Sequence, residues 1–399
     1  MNAIPSSMRA NVRLKRGKEK PILRGHPWVF SGAIASLDRE VEPGTGCAVC
    51  DAGGTILGHG YYNPHASIAV RMLTRGNTLF TGELLRRRLE KAAASRASIL
   101  ADDTSACRLV NSEGDFIPGL IVDRYGDGLC IQITTAGMER WREAVLSHLD
   151  ALIKPSFVYE RSDAEERARE QCEPRNRCGP VQGRIPAPLH VLENGIRYLV
   201  DLAAGQKTGM FLDQRENRRL FRHYAAERVV ADCFAYTGGF SLNALAGGAR
   251  AVRSIDASVR ALDWAKENRR LNGYAAPDAD FVDADVFDFL RNCTDRYSMV
   301  VLDPPKFARS SRDVPKACRG YKDINLVSMR NMEPGGILFT FSCSQAIDTK
   351  LFRQVVFAAA ADSGRDVQLL HVLSQPPDHP VNVSHREGEY LKGLVLRVL

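Results

Sequence analysis

The sequence predicts an α/β protein whose C-terminal half is a doubly wound, mostly parallel sheet, preceded by a module of short β-segments and a mixed block. Three observations carry this reading. From Val229 onward, short apolar runs rich in β-branched residues alternate with helical patterns, as in stacked βα units. At the head of that alternation, the strand-like run Val229–Cys233 breaks into Phe234-Ala-Tyr-Thr-Gly-Gly-Phe240, and helical spacing resumes through Leu242 and Leu245. A second short strand, Ala251–Ile255, then ends on Asp256. Finally, residues 12–75 hold several short β-segments separated by turn residues, the pattern of a small barrel.

The strand, Gly-rich turn, helix, strand and acid of residues 228–258 have the layout of a nucleotide-type site at the carboxyl edge of a doubly wound sheet. Glycine lets the backbone approach a ligand closely, and an acid after the second strand accepts from ribose hydroxyls. The turn is neither G-x-G-x-x-G nor a P-loop, since no Gly-Lys-Ser/Thr follows it.

Composition sets the bounds. A chain of 399 residues exceeds one ordinary core, so about two or three domains are expected. With 44% hydrophobic and 25% charged residues it has the composition of a soluble globular protein. No apolar run approaches the ~20 residues that span a bilayer. The first residues, MNAIPSSMRANVRLKRGKEK, carry charge without an apolar stretch and are not a secretory signal, so a cytoplasmic address is expected. The net charge of +7 is uneven: residues 1–75, Arg9 among them, hold ten Lys/Arg against five acids. A basic end on a near-neutral body favours a polyanion partner, nucleic acid above all. The ten cysteines read as buried small residues or reactive thiols rather than a disulfide framework. Cys47-Ala-Val-Cys50 lies in a predicted strand with no second C-x-x-C to answer it, which favours structural cysteines over zinc ligands.

In chain order, Val12–Leu14, the aromatic cluster His26-Pro-Trp-Val-Phe30, a hairpin of Cys47–Asp51 and Ile56–Tyr62 around Gly53-Gly54, and Ile68–Leu73 make the first module. A helix of strong formers follows over Gly82–Arg96. Strands at Cys107–Asn111, Leu120–Asp123 and Cys130–Thr134, a helix at Met138–Ile153 and a strand at Phe157–Arg161 form a middle block. Residues 163–188, charged and then Pro-rich, read as a linker or exposed loop. The domains expected are therefore 1–78, 79–188 and 189–399. The last opens with a hairpin turned at Asn194-Gly195, and Gly205–Asn217 leads into a helix with Asp213 at its start. After helix Val259–Leu271 come Ala279–Val282 and the acid Asp285, which suits both an adenine amino group and the N-cap of the helix beginning at Val286. Strand Tyr297–Leu302 ends on Asp303. Helix Asp323–Asn331, strand Gly336–Phe341, helix Lys350–Ser363 and strands Val367–Leu373 and Lys392–Val398 complete the alternation.

The Gly-rich turn, Asp303-Pro-Pro-Lys-Phe307 and Phe341-Ser-Cys-Ser344 together resemble the class I S-adenosylmethionine (SAM) methyltransferases. With Gly205–Asn217, Cys318-Arg-Gly-Tyr-Lys-Asp-Ile-Asn325, Asp378-His-Pro380 and Glu389-Tyr-Leu-Lys-Gly393, the chain is similar over essentially its whole length to the bacterial large-subunit ribosomal RNA methyltransferase I family. The resemblance implies a seven-stranded class I (Rossmann-like) domain, SAM as cofactor, and an N-terminal PUA-like RNA-binding barrel beginning near Arg24-Gly-His-Pro-Trp28. It implies 23S rRNA as partner and 5-methylcytosine as product, and a homodimer is compatible with it. For the cofactor it implies Phe211, Gln214 and Arg215 from the first motif and Asp232, Phe234, Tyr236, Thr237 and Gly238 around the turn. Asp256 and Ser258 follow the second strand, and Asp285 and Val286 the third.

The chemistry centres on Cys343 and Asp303. Cytosine C5 is too weak a nucleophile to take a methyl group from SAM, but a thiolate added at C6 makes C5 enamine-like. Such a thiol requires a lowered pKa, as near cations or a helix terminus. Cys343 follows one predicted strand and Asp303 ends its neighbour, both at the carboxyl edge. There a carboxyl group suits cytosine N3 and its exocyclic amine. Lys306 and Phe307 are the expected substrate contacts. Many RNA 5-methylcytosine enzymes carry a second cysteine beside the acid, where this chain has Asp303-Pro-Pro, so the base that removes the C5 proton is open between Lys306 and water. Two rival readings stand beside this one. Asp-Pro-Pro also resembles the motif of RNA nitrogen methyltransferases, which need no thiolate. A non-catalytic RNA-binding protein would use the fold only as a scaffold, a role the acids at 232, 256, 285 and 303 argue against.

Overall fold

The computed structural model describes residues 10–162, 164–174 and 176–399; Arg9, Asp163 and Arg175 lie outside the described residues. The chain divides into two compact units. The first extends to Val191 and also includes Val200–Leu212 and Pro377–Gly388; the second comprises Leu192–Leu199, Asp213–Pro376 and Glu389–Leu399.

The first unit contains two sheets. In the six-stranded one, the spatial order is Trp28–Phe30, Ile68–Met72, Ile56–Tyr62, Thr45–Cys50, Ala10–Leu14, Ile34–Leu37. Strict alternation along Ala10–Leu14 turns Ala10, Val12 and Leu14 into a core shared with Ile22, Val29, Val49 and Val70. Cys47 and Cys50 are both buried in their strand. The expected hairpin closes at Gly54, whose φ of 93° needs a residue without Cβ. A short helix, Lys20–Leu23, and the strand Ile34–Leu37 are additions to the sequence reading.

The five-stranded sheet runs Arg177–Gly183, Phe157–Ser162, Gly128–Ile133, Leu120–Tyr125, Ala106–Asn111. It packs Leu109, Val122 and Ile131 against Leu85 and Leu89 of helix Gly82–Ser95 and Val145 and Leu149 of helix Arg142–Ile153. Two expectations are corrected here. The helix expected over 138–153 is two pieces, Ala136–Glu139 and Arg142–Ile153. The stretch expected to be a linker or exposed loop contains helix Ala164–Arg169 and strand Arg177–Gly183. Pro180 is tolerated in that strand because it lies at the sheet edge, where the missing N–H breaks no ladder.

The segment Pro377–Gly388, far along the chain, is built into this first unit. The buried Asp378 carboxylate accepts from Arg108 N at 3.0 Å, and the Asp378 carbonyl accepts from the buried Arg96 guanidinium at 3.0 Å. Asn111 donates to the Pro380 carbonyl, Ser384 to the Arg24 carbonyl, and the His385 ring meets Trp28 at 4.3 Å between centroids.

The second unit is a seven-stranded sheet. Its strands in chain order are β1 (Val229–Cys233), β2 (Ala251–Asp256), β3 (Phe281–Asp283), β4 (Tyr297–Leu302), β5 (Met332–Ser342), β6 (Val367–Leu373) and β7 (Lys392–Val398). Their spatial order is β3-β2-β1-β4-β5-β7-β6, all parallel except β7, which pairs antiparallel with both β5 and β6. The doubly wound order expected from the sequence is therefore present, with its switch point between β1 and β4. Both faces are covered, which explains the unbroken apolar runs. Ala231, Val300, Leu302 and Leu338 face helices Val314–Asn331 and Thr349–Ser363, while Val230, Met299, Val301 and Phe339 face helices Arg215–Tyr224 and Gly239–Ala246. Helix Val314–Asn331 starts nine residues before the expected Asp323, because Pro315 sits in its first turn, where no N–H is required.

If Pro377–Gly388 helps hold the first unit together, Asp378→Ala leaves the Arg108 N–H buried without an acceptor and costs about 1–3 kcal/mol. A lowered urea midpoint is the expected result; an unchanged midpoint would show that the Asp378 carboxylate adds no stability.

Candidate active site

Because β1 to β5 are parallel, their chain exits share one edge, and the acids and the thiol singled out at the strand ends lie along it. After β1 the backbone enters the left-handed region three times in five residues: Phe234 (φ 65°), Tyr236 (φ 49°) and Gly238 (φ 80°). Only at Gly238 is this conformation unstrained, and a Cβ there would lie 3.1 Å from that of Ala265. Strain at two bulky residues must be held by surrounding contacts. Asp256 supplies one. Its carboxylate accepts from Tyr236 N at 2.9 Å and from Ser258 N at 2.9 Å, so a single acid fixes the turn after β1 and the start of the next helix. Asn268 adds a second tie by donating to the Thr237 carbonyl.

Asp232 plays a deeper part than expected. It is buried at the end of β1, and its Oδ2 accepts from Ser241 N at 2.8 Å and from Ser241 Oγ at 2.7 Å, pinning the N-terminus of helix Gly239–Ala246. Burial pushes its pKa up to about 6, against the opposing pull of those two hydrogen bonds. Asp285 caps helix Val286–Asn292, accepting from Phe287 N at 2.8 Å and Asp288 N at 3.2 Å, while its exposed carboxylate keeps unused acceptor capacity. Ser258 caps helix Val259–Leu271 through Ala261 N, and Val286 packs into the core.

Gln214 and Arg215 are buried at the start of helix Arg215–Tyr224. Gln214 accepts from Asn217 at 2.6 Å and Arg215 pairs with Glu216 at 3.1 Å. Phe211 falls in the first unit, half-buried, with the Lys207 ammonium 4.4 Å from its ring centre.

Asp303 and Cys343 follow neighbouring parallel strands, β4 and β5. Asp303 follows β4 and is half-buried, its N–H directed at the Cys233 carbonyl at 3.4 Å. Cys343 follows β5 and is half-buried, with Sγ 3.9 Å from the Pro304 carbonyl oxygen. Lys306 is exposed beside them. Phe307 is packed into an aromatic cluster, 4.6 Å from Tyr321, 5.9 Å from Phe287 and 6.5 Å from Phe234 between ring centroids. This packing braces the loop after β4 and leaves Phe307 half-buried.

Four residues to which the sequence alone assigns no role hold this loop pair. Ser344 Oγ accepts from Ala308 N at 3.1 Å and meets the Tyr321 hydroxyl at 3.1 Å. Ser342 Oγ donates to that same hydroxyl at 3.0 Å. The buried Lys392 Nζ donates to the carbonyls of Ser344 and Tyr390, each at 2.7 Å. Tyr321 and Lys392 lie inside Cys318–Asn325 and Glu389–Gly393, motifs that carried the family resemblance without an assigned job.

The donor set fits a nucleoside-bearing cofactor. A carboxylate at the end of β2 is oriented by two backbone N–H groups and retains lone pairs, a second acid stands after β3, and the turn between them is held against its own strain. Among the described residues, no cluster of His, Cys, Asp and Glu is arranged to hold a metal ion, and no helix is long and apolar enough to cross a membrane.

Comparisons with known proteins agree with this geometry. Residues 164–397 match the S-adenosylmethionine-dependent methyltransferase family, and residues 12–75 match a PUA-like domain. The ribosomal RNA large subunit methyltransferase I of Klebsiella pneumoniae is 41% identical over 97% of this chain and 98% of its own. That of Cronobacter sakazakii is 42% identical over 98% and 100%. A solved structure described as a SAM-dependent methyltransferase from Streptococcus mutans superposes with a TM-score of 0.84 at 22% identity, covering 97% of this chain and 100% of that one. A methyltransferase structure solved with S-adenosylhomocysteine gives 0.85 at 22% identity over the same shares. At that identity the two structures speak for the fold.

The Asp232 environment makes a pH prediction. A native pKa of about 6 against an ordinary 3.8 means that the folded state holds the proton more tightly, so stability is lost as pH rises from about 4 through 6. The difference of about two units corresponds to roughly 3 kcal/mol. Asp232→Asn, which is never charged and still accepts from Ser241, should gain stability relative to the wild type across that window and hold the gain above it. Urea unfolding at pH 4 and pH 7.5 measures this; a mutant-to-wild-type difference independent of pH would contradict it.

Proposed function

The chain belongs to the S-adenosylmethionine-dependent methyltransferases, in the family of ribosomal RNA large subunit methyltransferase I, and we propose that it methylates C5 of a cytosine in 23S rRNA through a covalent Cys343–C6 adduct, in the cytoplasm. The observation that carries this reading is the placement of Cys343 against the Asp303-Pro304 loop, with its sulfur 3.9 Å from the Pro304 carbonyl at the edge where Asp256 and Asp285 also stand.

In this reading Asp256 holds the ribose hydroxyls of SAM and Asp285 its adenine amino group, while Phe234, Tyr236, Thr237 and Gly238 form the wall between them. Asp232 acts through Ser241 by positioning that wall. Bound SAM supplies a methyl carbon made electrophilic by its sulfonium. The Cys343 thiolate donates its electron pair to C6, and the C5–C6 π electrons move onto C5, which becomes the atom methylated. The Asp303 carboxyl group, aimed at cytosine N3 and the exocyclic amine, stabilises the charge that develops on the ring. Removal of the C5 proton, by Lys306 or water, then restores the C5–C6 double bond and expels the thiolate. The six-stranded module around residues 12–75, with its basic flank, is the proposed RNA-binding element, within a division at about residues 78 and 188.

Two measurements test the site. Asp256→Ala should weaken SAM binding in calorimetry by about 1.5–3 kcal/mol, the range for hydrogen bonds to a charged group; unchanged affinity would remove Asp256 from the cofactor site. RNA carrying 5-fluorocytosine at the target has no C5 proton to lose, so a SAM-dependent RNA–protein band should persist on denaturing gels. Cys343→Ala should abolish both the band and turnover. Normal methylation of unmodified RNA by Cys343→Ala would favour methyl transfer to a ring or exocyclic nitrogen instead.

A further inference from the structure

β7 carries a charged residue into a place where charge is costly. Lys392 pairs across the sheet with Ser342, the last residue of β5, so its side chain rises beside the turn that presents Cys343. The residue is 3% exposed, and its ammonium donates to the carbonyls of Ser344 and Tyr390. Two carbonyl dipoles orient an ammonium but do not neutralise it, and a buried cation without a counter-charge is strongly disfavoured. Burial accordingly lowers the Lys392 pKa to about 8. Among the groups that oppose this, negative charge on Cys343 acts most strongly, followed by Asp348 at the start of helix Thr349–Ser363. Lys306, in the loop after β4, acts in the opposite sense. The fourth titratable group at this turn is Tyr321, whose hydroxyl bonds Ser342 and Ser344; burial raises its pKa, and negative charge on Cys343 raises it further, so it favours the neutral phenol. Asp348 is engaged as the helix cap for Leu351 N. The cation thus lies against the turn that bears the thiol, with its own carbonyl contacts fixing it there.

We propose that Lys392 is the built-in counter-ion of Cys343, a positioning residue that holds the nucleophile as a thiolate before RNA arrives. The proton leaves the Cys343 sulfur for solvent, Lys392 keeps its own, and each of two half-buried or buried charges compensates the other. The same pairing serves the end of the reaction, because a stabilised thiolate is the better leaving group when the adduct collapses. This inference rests on the covalent reading for its purpose, though the charge pair itself is measurable without RNA.

The experiment follows the rate of Cys343 alkylation by iodoacetamide against pH in the full-length protein, with the Cys343 peptide quantified by mass spectrometry. In the wild type the rate should reach half its plateau at least one pH unit below the ~8.5 of an ordinary thiol. Lys392→Met should move that midpoint up by about a unit, which slows alkylation at pH 7 about tenfold, and Lys392→Arg, which keeps the charge, should stay near the wild type. A residue that merely braces the turn would scale the rate equally at every pH and leave the midpoint in place; that result overturns the proposal. If Lys392→Met fails to fold, as judged by its thermal transition and SAM binding, the wild-type curve alone decides, and a midpoint at 8.5 or above overturns the proposal. Failure of the underlying reading looks different: Cys343→Ala would still methylate RNA while the wild-type midpoint stayed low.

Discussion

A parallel sheet releases every strand at the same edge, and the second unit depends on this constraint. It places Asp256 at the end of β2, Asp285 shortly after β3, Asp303 after β4 and Cys343 after β5 along one rim, although they are scattered over nearly ninety residues of sequence. The reversal of strand order between β1 and β4 opens the crevice in which such a rim holds a ligand. Only β7 runs the other way. An antiparallel strand enters where its neighbours leave, so Lys392, the first residue of β7, joins a rim otherwise built from strand ends.

Holding this rim requires the fold to keep several unfavourable features in place at once. Phe234 and Tyr236 are held in a left-handed conformation, Asp232 is a carboxylate in an apolar core, and Lys392 is a buried ammonium. Each is answered locally, by the Asp256 carboxylate, by Ser241 and by the carbonyls of Ser344 and Tyr390 respectively. The buried bidentate pair between Arg218 and Glu193 supports the same region from the helix before β1. Preorganisation of this kind lets charged groups act on a ligand without rearranging when it binds.

Much of this was legible in the sequence, for identifiable reasons. β1, β4, β6 and β7 are apolar runs bounded by turn residues, and their limits coincide with the expected ones. The Asn194-Gly195 turn joins the expected strand pair, with φ of 49° and 78° at its two central residues. The departures came from residues whose ordinary meaning is reversed by position. Pro315 and Gly320 look like helix breakers, yet one sits in the first turn and the other leaves room for the Phe307 ring, which a Cβ would approach to 3.3 Å. Pro334-Gly335-Gly336 suggests a turn but lies within β5. The roles of Ser344, Tyr321 and Lys392 could not be read because they arise from contacts between segments far apart in sequence, which no local pattern encodes.

The most distant of these long-range contacts concern Pro377–Gly388. A ribosome adding about 5–20 residues per second takes on the order of ten to thirty seconds to pass from Leu212, the last earlier residue of the first unit, to Pro377. Throughout that interval the Arg108 amide and the Asn111 side chain lack the acceptors they have in the finished fold, and the Arg96 guanidinium, already paired with Asp115, lacks the Asp378 carbonyl. The N-terminal unit, though first to emerge, is therefore completed only after six of the seven strands of the other unit exist. Its maturation is timed by translation of the catalytic sheet, so a chain stalled within that sheet carries an unfinished N-terminal unit as well.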